Sequence, residues 1–137
     1  MNFKAAFYNP FKPYAISLGE ISADKIVETF EKIPWEEYLQ KMVGKKDNDI
    51  HYSPSLEITK EDTKNVLTIS ATGTPGNIEY YIFYRHSKKV KRFFGLSEKV
   101  KENYLSEVSK QTRKDAFDCL LALIQNDSEF LDTKFKN

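Results

Sequence analysis

Residues Asn65 to Arg85 read N-V-L-T-I-S-A-T-G-T-P-G-N-I-E-Y-Y-I-F-Y-R, two runs of strand-forming residues on either side of Gly73-Thr74-Pro75-Gly76-Asn77. Glycine, proline and asparagine clustered between two such runs mark a reversal of the chain. An antiparallel hairpin follows, and the rest of the chain must be arranged around it.

With a five-residue loop, Thr72 lies opposite Ile78. The pairing then continues as Ala71 with Glu79, Ser70 with Tyr80, Ile69 with Tyr81, Thr68 with Ile82 and Leu67 with Phe83. Cross-strand partners share a face. The expected core face therefore carries Leu67, Ile69, Ala71, Tyr81 and Phe83, and the expected second face carries Val66, Thr68, Ser70, Tyr80, Ile82 and Tyr84. A slip of one residue would exchange the faces of one strand relative to its partner.

The preceding run, Ser55 to Lys60, alternates Leu56 and Ile58 with Glu57 and Thr59, the pattern of a half-buried strand. Leu56 and Ile58 reach the core face if they oppose Ile69 and Leu67, which requires a tight turn centred on Asp62-Thr63. Lys89 to Phe94 alternates again and is read as a short fourth strand. The expected sheet is a meander of three or four strands spanning residues 55–94.

Helical spacing appears on both sides of this sheet. Ser22 reads as an N-cap with Asp24 in the first turn, followed by Ile26, Val27, Phe30 and Ile33 on one face. Pro34 interrupts the pattern, and Trp35, Tyr38, Leu39 and Met42 resume it, so residues 22–43 are expected as two short helices or one kinked helix. Beyond the sheet, Ser97 can cap a helix bearing Val100, Tyr104, Leu105 and Val108. The alternative there is a strand over Asn103 to Val108. A broad apolar stripe after Thr112, formed by Ala116, Phe117, Leu120, Leu121, Leu123 and Ile124, predicts the main helix packed on the core face, and Phe130, Leu131 and Phe135 suggest that the tail docks as well. Residues 1–20 hold five aromatics with Pro10 and Pro13, which predicts an extended arm lying on the body. The fold class is thus α+β in one domain: N-terminal helices, an antiparallel meander, and C-terminal helices packed on one sheet face, with helices expected over residues 97–126.

A chain of 137 residues suffices for a single core. No apolar run approaches the ~20 residues of a membrane span, and the start has no continuous apolar stretch of signal-peptide length, so a cytoplasmic protein with no membrane partner is expected. The formal charge of +1 conceals a pattern. Residues 1–84 carry 9 Lys and Arg against 12 Asp and Glu, residues 85–114 carry 10 against 3, and residues 115–137 carry 2 against 5. A basic segment is set into an otherwise acidic chain.

Chemistry-bearing patterns are sparse. The two histidines, His51 and His86, have no spacing that preorganises a metal site, and Asp47-Asn48-Asp49 lacks the rest of a calcium loop. Cys119 lies on the apolar helix, where a small thiol packs well, and as the only cysteine it excludes an internal disulfide. No nucleophile-elbow serine and no glycine-rich phosphate loop is present. No catalytic residue, metal ligand or cofactor is assigned.

Two features remain. One is the stripe Tyr80, Ile82 and Tyr84, which serves as a set of apolar anchors if its face is open, or as a second core layer if other segments cover it. The other is Arg85, Lys88, Lys89, Lys91 and Arg92, five cations in eight residues with no acid among them. Such a segment steers an acidic partner, guards an edge strand, or binds phosphate. The function expected is a non-enzymatic protein-binding module, of the kind found in toxin-neutralising immunity-type or chaperone-like proteins. Nucleic-acid binding through residues 85–92 is the first alternative. The second is ligand binding or catalysis in a pocket between sheet and helices, lined by Trp35, Tyr38, Tyr81 and Phe83.

Overall fold

Alternating and helical patterns condense into one mixed layer structure in a computed structural model, which describes residues 2–92 and 97–135, with the side chains of residues 88–92 and 97–103 left aside. The strands are β1 (Phe3–Tyr8), β2 (Ile16–Ile21), β3 (Ser55–Lys60), β4 (Asn65–Thr74), β5 (Asn77–Arg92) and β6 (Ser97–Gln111). The helices are α1 (Ala23–Lys32), α2 (Trp35–Met42), α3 (Arg113–Ile124) and α4 (Ser128–Lys134), with a single 3-10 turn at Asp47–Asp49.

All six strands form one antiparallel sheet in the order β2-β1-β3-β4-β5-β6. The sheet is larger than the three or four strands expected. The aromatic N-terminal segment supplies two of the additional strands, because Phe3, Ala5 and Phe7 alternate with Lys4 and Ala6 at strand spacing and are buried on one face. The segment beginning at Ser97, expected as a helix, is instead the long strand β6. Its apolar positions Leu105 and Val108 pair with Arg85 and Ile82 of β5. The expected fourth strand at Lys89 is a continuation of β5, which runs through His86-Ser87 without a turn; Phe93 and Phe94 lie outside the described residues.

β2 and β3 both flank β1 and therefore run parallel to each other. A parallel pair needs a crossover, and α1 and α2 form it across one face of the sheet. Ser22 caps α1, accepting a bond from Lys25 N, and Pro34 separates the two helices. Thr112 and Asp115 form a reciprocal capping box at α3. Ile26 and Phe30 of α1, Trp35 and Leu39 of α2, Ala116, Cys119, Leu120 and Leu123 of α3, and Leu131 of α4 all pack in one apolar cluster on the sheet. Trp35 donates its indole N–H to the Phe30 carbonyl oxygen at 3.2 Å, which satisfies its polar atom inside this core. Lys60 is also buried on this side, and its ammonium donates to Asn126 Oδ1 at 2.5 Å in the turn between α3 and α4.

The β3–β4 pairing is the expected one, with Leu56 opposite Ile69 and Ile58 opposite Leu67. The β4–β5 pairing differs by one residue. Gly73 opposes Ile78 and Thr74 opposes Asn77, so the loop contains Pro75 and Gly76 alone. Proline at the first central position and Gly76 at φ +81° at the second is the arrangement of a type II turn. The slip leaves the faces of β4 as expected and exchanges those of β5. Tyr80, Ile82 and Tyr84, read as anchors on an open face or as a covered layer, are 2%, 0% and 4% exposed beneath the helices, opposite Ala71, Ile69 and Leu67, so they are core and not open anchors. Tyr81 and Phe83, expected in the core, stand on the other face.

Candidate functional site

The cross-strand rows that point away from the helices follow directly from the registers. Tyr8, Ser55, Ser70 and Tyr81 form one row across β1, β3, β4 and β5, and Ala6, Glu57, Thr68 and Phe83 form the next. Small hydroxyl residues on β3 and β4 lie between larger rings on β1 and β5. Their difference in height makes a groove of about 310 Å³, with Tyr8 and Tyr52 on one wall and Tyr81 and Phe83 on the other.

The walls are themselves ordered by ring contacts. Tyr81 and Phe83, two residues apart on β5, stack with centroids 4.6 Å apart and planes 15° from parallel. Tyr8 and Tyr52 meet edge to face at 5.0 Å. Tyr52 is positioned by its hydroxyl, which donates to the Pro13 carbonyl oxygen at 3.2 Å, while His51 N donates to the Pro10 carbonyl oxygen at 2.7 Å. These bonds tie the segment before β3 to the segment between β1 and β2.

Polar groups of the floor bond mainly to one another. Ser55 Oγ bonds to the Ser53 carbonyl oxygen at 2.8 Å and to Ser70 Oγ at 2.6 Å, and both serines are buried. Thr72 Oγ1 donates to the Glu79 carbonyl oxygen at 3.2 Å. The Tyr8 hydroxyl donates to Glu57 Oε2 at 3.2 Å, and its pKa is raised, first by burial and then by the charge and hydrogen bond of Glu57. Tyr81 is likewise raised, first by its hydrogen bond to Glu107. Among the described residues lining the groove, Glu57 is the only charged one.

The expected site residues are divided by this arrangement. Tyr80, Ile82 and Tyr84 lie in the core, where Tyr80 packs edge to face on Trp35 at 5.7 Å and Tyr84 accepts a bond from Asn65 Nδ2 at 3.2 Å. Arg85 is exposed on the open face, near enough to Tyr8 for its charge to act on the phenol. Lys88, Lys89, Lys91 and Arg92 continue β5 past the end of β4, where β6 is its partner, so that the basic segment runs along a two-stranded ribbon. The four residues of the expected internal pocket do not share a cavity: Trp35 and Tyr38 belong to the helix side, and Tyr81 and Phe83 to the opposite face. Tyr8, Tyr52, Ser55, Glu57 and Ser70 were not singled out as site residues. The alternation of Ser55, Glu57 and Thr59 with Leu56 and Ile58 already marks an open face, and a two-residue Pro-Gly loop would have placed Tyr81 and Phe83 on it.

Elsewhere the candidates are weaker. A second cleft, of about 340 Å³, lies between β2 and the junction of α1 with α2, with Ile16, Leu18, Ile33 and Pro34 among its lining and Thr29, Lys32 and Tyr38 as its polar side chains. His86 stacks on Tyr84 at 4.3 Å, and its Nε2 lies 3.3 Å from the buried Ser106 Oγ, an internal contact away from either groove. Among the described residues, no three His, Cys, Asp or Glu side chains gather as metal ligands, and no helix is long and apolar enough to cross a membrane. Cys119 is fully buried and its thiol is pushed up to about 11, chiefly by burial, which removes nucleophilic character at neutral pH.

No family model, curated protein or solved structure matches this chain.

Proposed function

We propose that this chain is a non-enzymatic binding module that receives a protein partner on the open face of its sheet. The observation that supports this reading is the one-sided cover of the six strands: the helices pack on the face of Ile69 and Ile82, while the face of Ser70 and Tyr81 holds an aromatic-walled groove. Tyrosine and phenylalanine supply large contact areas with few rotatable bonds, and a groove between them concentrates that area. The anchors in this reading are Tyr8, Tyr52, Tyr81 and Phe83. The sequence expectation of a tyrosine-bearing sheet surface is kept, with its residues replaced by their strand neighbours.

A capture experiment tests the assignment of the face. Wild type and a Tyr81→Ser/Phe83→Ser double variant are immobilised and compared in nuclease-treated lysate, with Lys114→Ala on the exposed side of α3 as a folded control. The expected result is a stoichiometric protein retained by wild type and the control and lost from the double variant. Equal retention by all three would remove the open face from consideration.

One observation supports a second reading. The segment Lys88 to Arg92 lies on a ribbon beyond the end of β4, a shape that enters a nucleic-acid groove more readily than a flat sheet does. In this reading Arg85 and the ribbon lysines contact phosphates, and affinity falls steeply as salt rises. Replacing Lys88, Lys89 and Lys91 with Glu abolishes retention on an oligonucleotide column if the reading holds; unchanged retention rejects it.

A further inference from the structure

We propose that the open-face groove takes a cationic side chain, a lysine or arginine of the partner protein, seated between Tyr8 and Tyr81 above Glu57. The proposal rests on the reading that this face is the binding surface, and it adds the chemistry of what binds there.

Its basis is the direction of the hydroxyl bonds. A hydroxyl has one proton and two lone pairs, so donating within the protein leaves it able only to accept. Tyr8 donates to Glu57, Tyr52 to the Pro13 carbonyl and Thr72 to the Glu79 carbonyl. Ser55 donates to the Ser53 carbonyl, which makes Ser70 the donor in the 2.6 Å serine pair. Tyr81 bonds to the Glu107 carboxylate, so six lining hydroxyls have their protons committed inside the molecule. Among the described lining residues, Thr68 and Ser53 keep theirs.

What the groove presents is then mostly of one electrostatic kind: lone pairs, the Glu57 carboxylate, the Glu107 carboxylate at the Tyr81 hydroxyl, and aromatic faces whose quadrupoles are negative, set against the Arg85 charge near Tyr8. A carboxylate or a carbonyl-rich ligand would meet acceptors with acceptors. A guanidinium or ammonium has donors alone, pairs with the carboxylate by charge-assisted bonds, and is attracted to the rings. The groove is also too broad for a free small cation. Its walls stand on β1 and β5, three strand spacings apart, which is roughly 14 Å between backbones. A cation carried on a protein surface fills such a width with its own flanking chain, whereas a lone ammonium ion would remain solvated.

The test is an NMR titration of the folded chain with three capped tripeptides, Ac-Ala-Arg-Ala-NH2, its citrulline counterpart, which has the same shape without the charge, and Ac-Ala-Glu-Ala-NH2. The arginine peptide is expected to give saturable shifts at Tyr8, Glu57, Tyr81 and Phe83 and to bind about tenfold more tightly than the citrulline peptide. Glu57→Gln, which keeps the shape and an acceptor for Tyr8, is expected to abolish that difference. Phe83→Leu should weaken the arginine peptide several-fold and serves if the first variant does not fold. Equal affinity for arginine and citrulline, or tighter binding of the glutamate peptide, overturns the cation assignment while leaving the open face as the binding surface. Absence of groove shifts with every peptide also overturns it. The face itself then stands or falls with the Tyr81→Ser/Phe83→Ser capture.

Discussion

Gly73 lies opposite Ile78 across the β4–β5 hairpin, with φ +92°, and a Cβ built on it would stand 2.5 Å from the Asn77 carbonyl oxygen. A non-glycine residue would therefore meet backbone, which cannot swing aside, in a conformation that L side chains rarely adopt. Gly73→Ala is expected to destabilise the fold by about 1–3 kcal/mol. Urea unfolding of the variant measures this, and a midpoint equal to wild type would contradict the hairpin geometry.

The exchanged faces of β5 make neighbouring substitutions diverge. Ile82→Ala opens a hole in a fully buried layer and should cost about 2–5 kcal/mol. Phe83→Ala removes a half-exposed ring and should cost about 1 kcal/mol or less. If Phe83 proved the more costly, the five-residue loop and its register would be restored.

At the start of α3, Asp115 is held below its ordinary pKa, first by the hydrogen bond from the Thr112 backbone and then by the Thr112 hydroxyl. A lowered folded-state pKa stabilises the fold fully above the unfolded-state value, near 3.8, and that contribution is lost as pH falls through the folded-state value. Thr112→Ala should cost about 1 kcal/mol at neutral pH. Asp115→Asn should destabilise at neutral pH, and its deficit should shrink once the pH is taken below 3.8. A deficit independent of pH would show that the carboxylate charge has no part in the cap.

Burial of Cys119 between the sheet and α3 predicts kinetic silence of the only thiol. Reaction with a chromogenic disulfide reagent should be negligible in buffer and complete in denaturant. The rate at intermediate denaturant then reports opening of the core, and fast labelling of the native chain would place the thiol at the surface.

Local patterns made much of this fold legible. Ser22, Pro34 and Thr112 mark helix ends by hydrogen bonding that needs no distant residue, and Leu56 and Ile58 find Ile69 and Leu67 through a short turn. Position 78 was harder. Pro75-Gly76 closes a two-residue loop and the wider cluster Gly73 to Asn77 suggests a longer one, yet the difference of one residue decides whether Tyr80 or Tyr81 is buried. β1 was obscured by its partner. Its alternation spans six residues beside two prolines, and β3, which pairs with it, lies about fifty residues away. The site depended on both: its walls stand on β1 and β5, two of the strands for which periodicity alone was insufficient. β6 carries charged residues at close intervals and resembles a solvated helix until β5 is available to pair with it.

The order of the strands also predicts an order of assembly. Ala5 pairs with Gly19 on one side and with Ile58 on the other, so one edge of β1 can close from nearby chain while the second waits for β3. Until then Phe3, Ala5 and Phe7 belong to an open-edged hairpin that can capture the wrong strand. The α1–α2 crossover separates β1 from β3 in the chain, so loop-closure entropy predicts that β1 pairs with β2 before Phe3 meets Lys60.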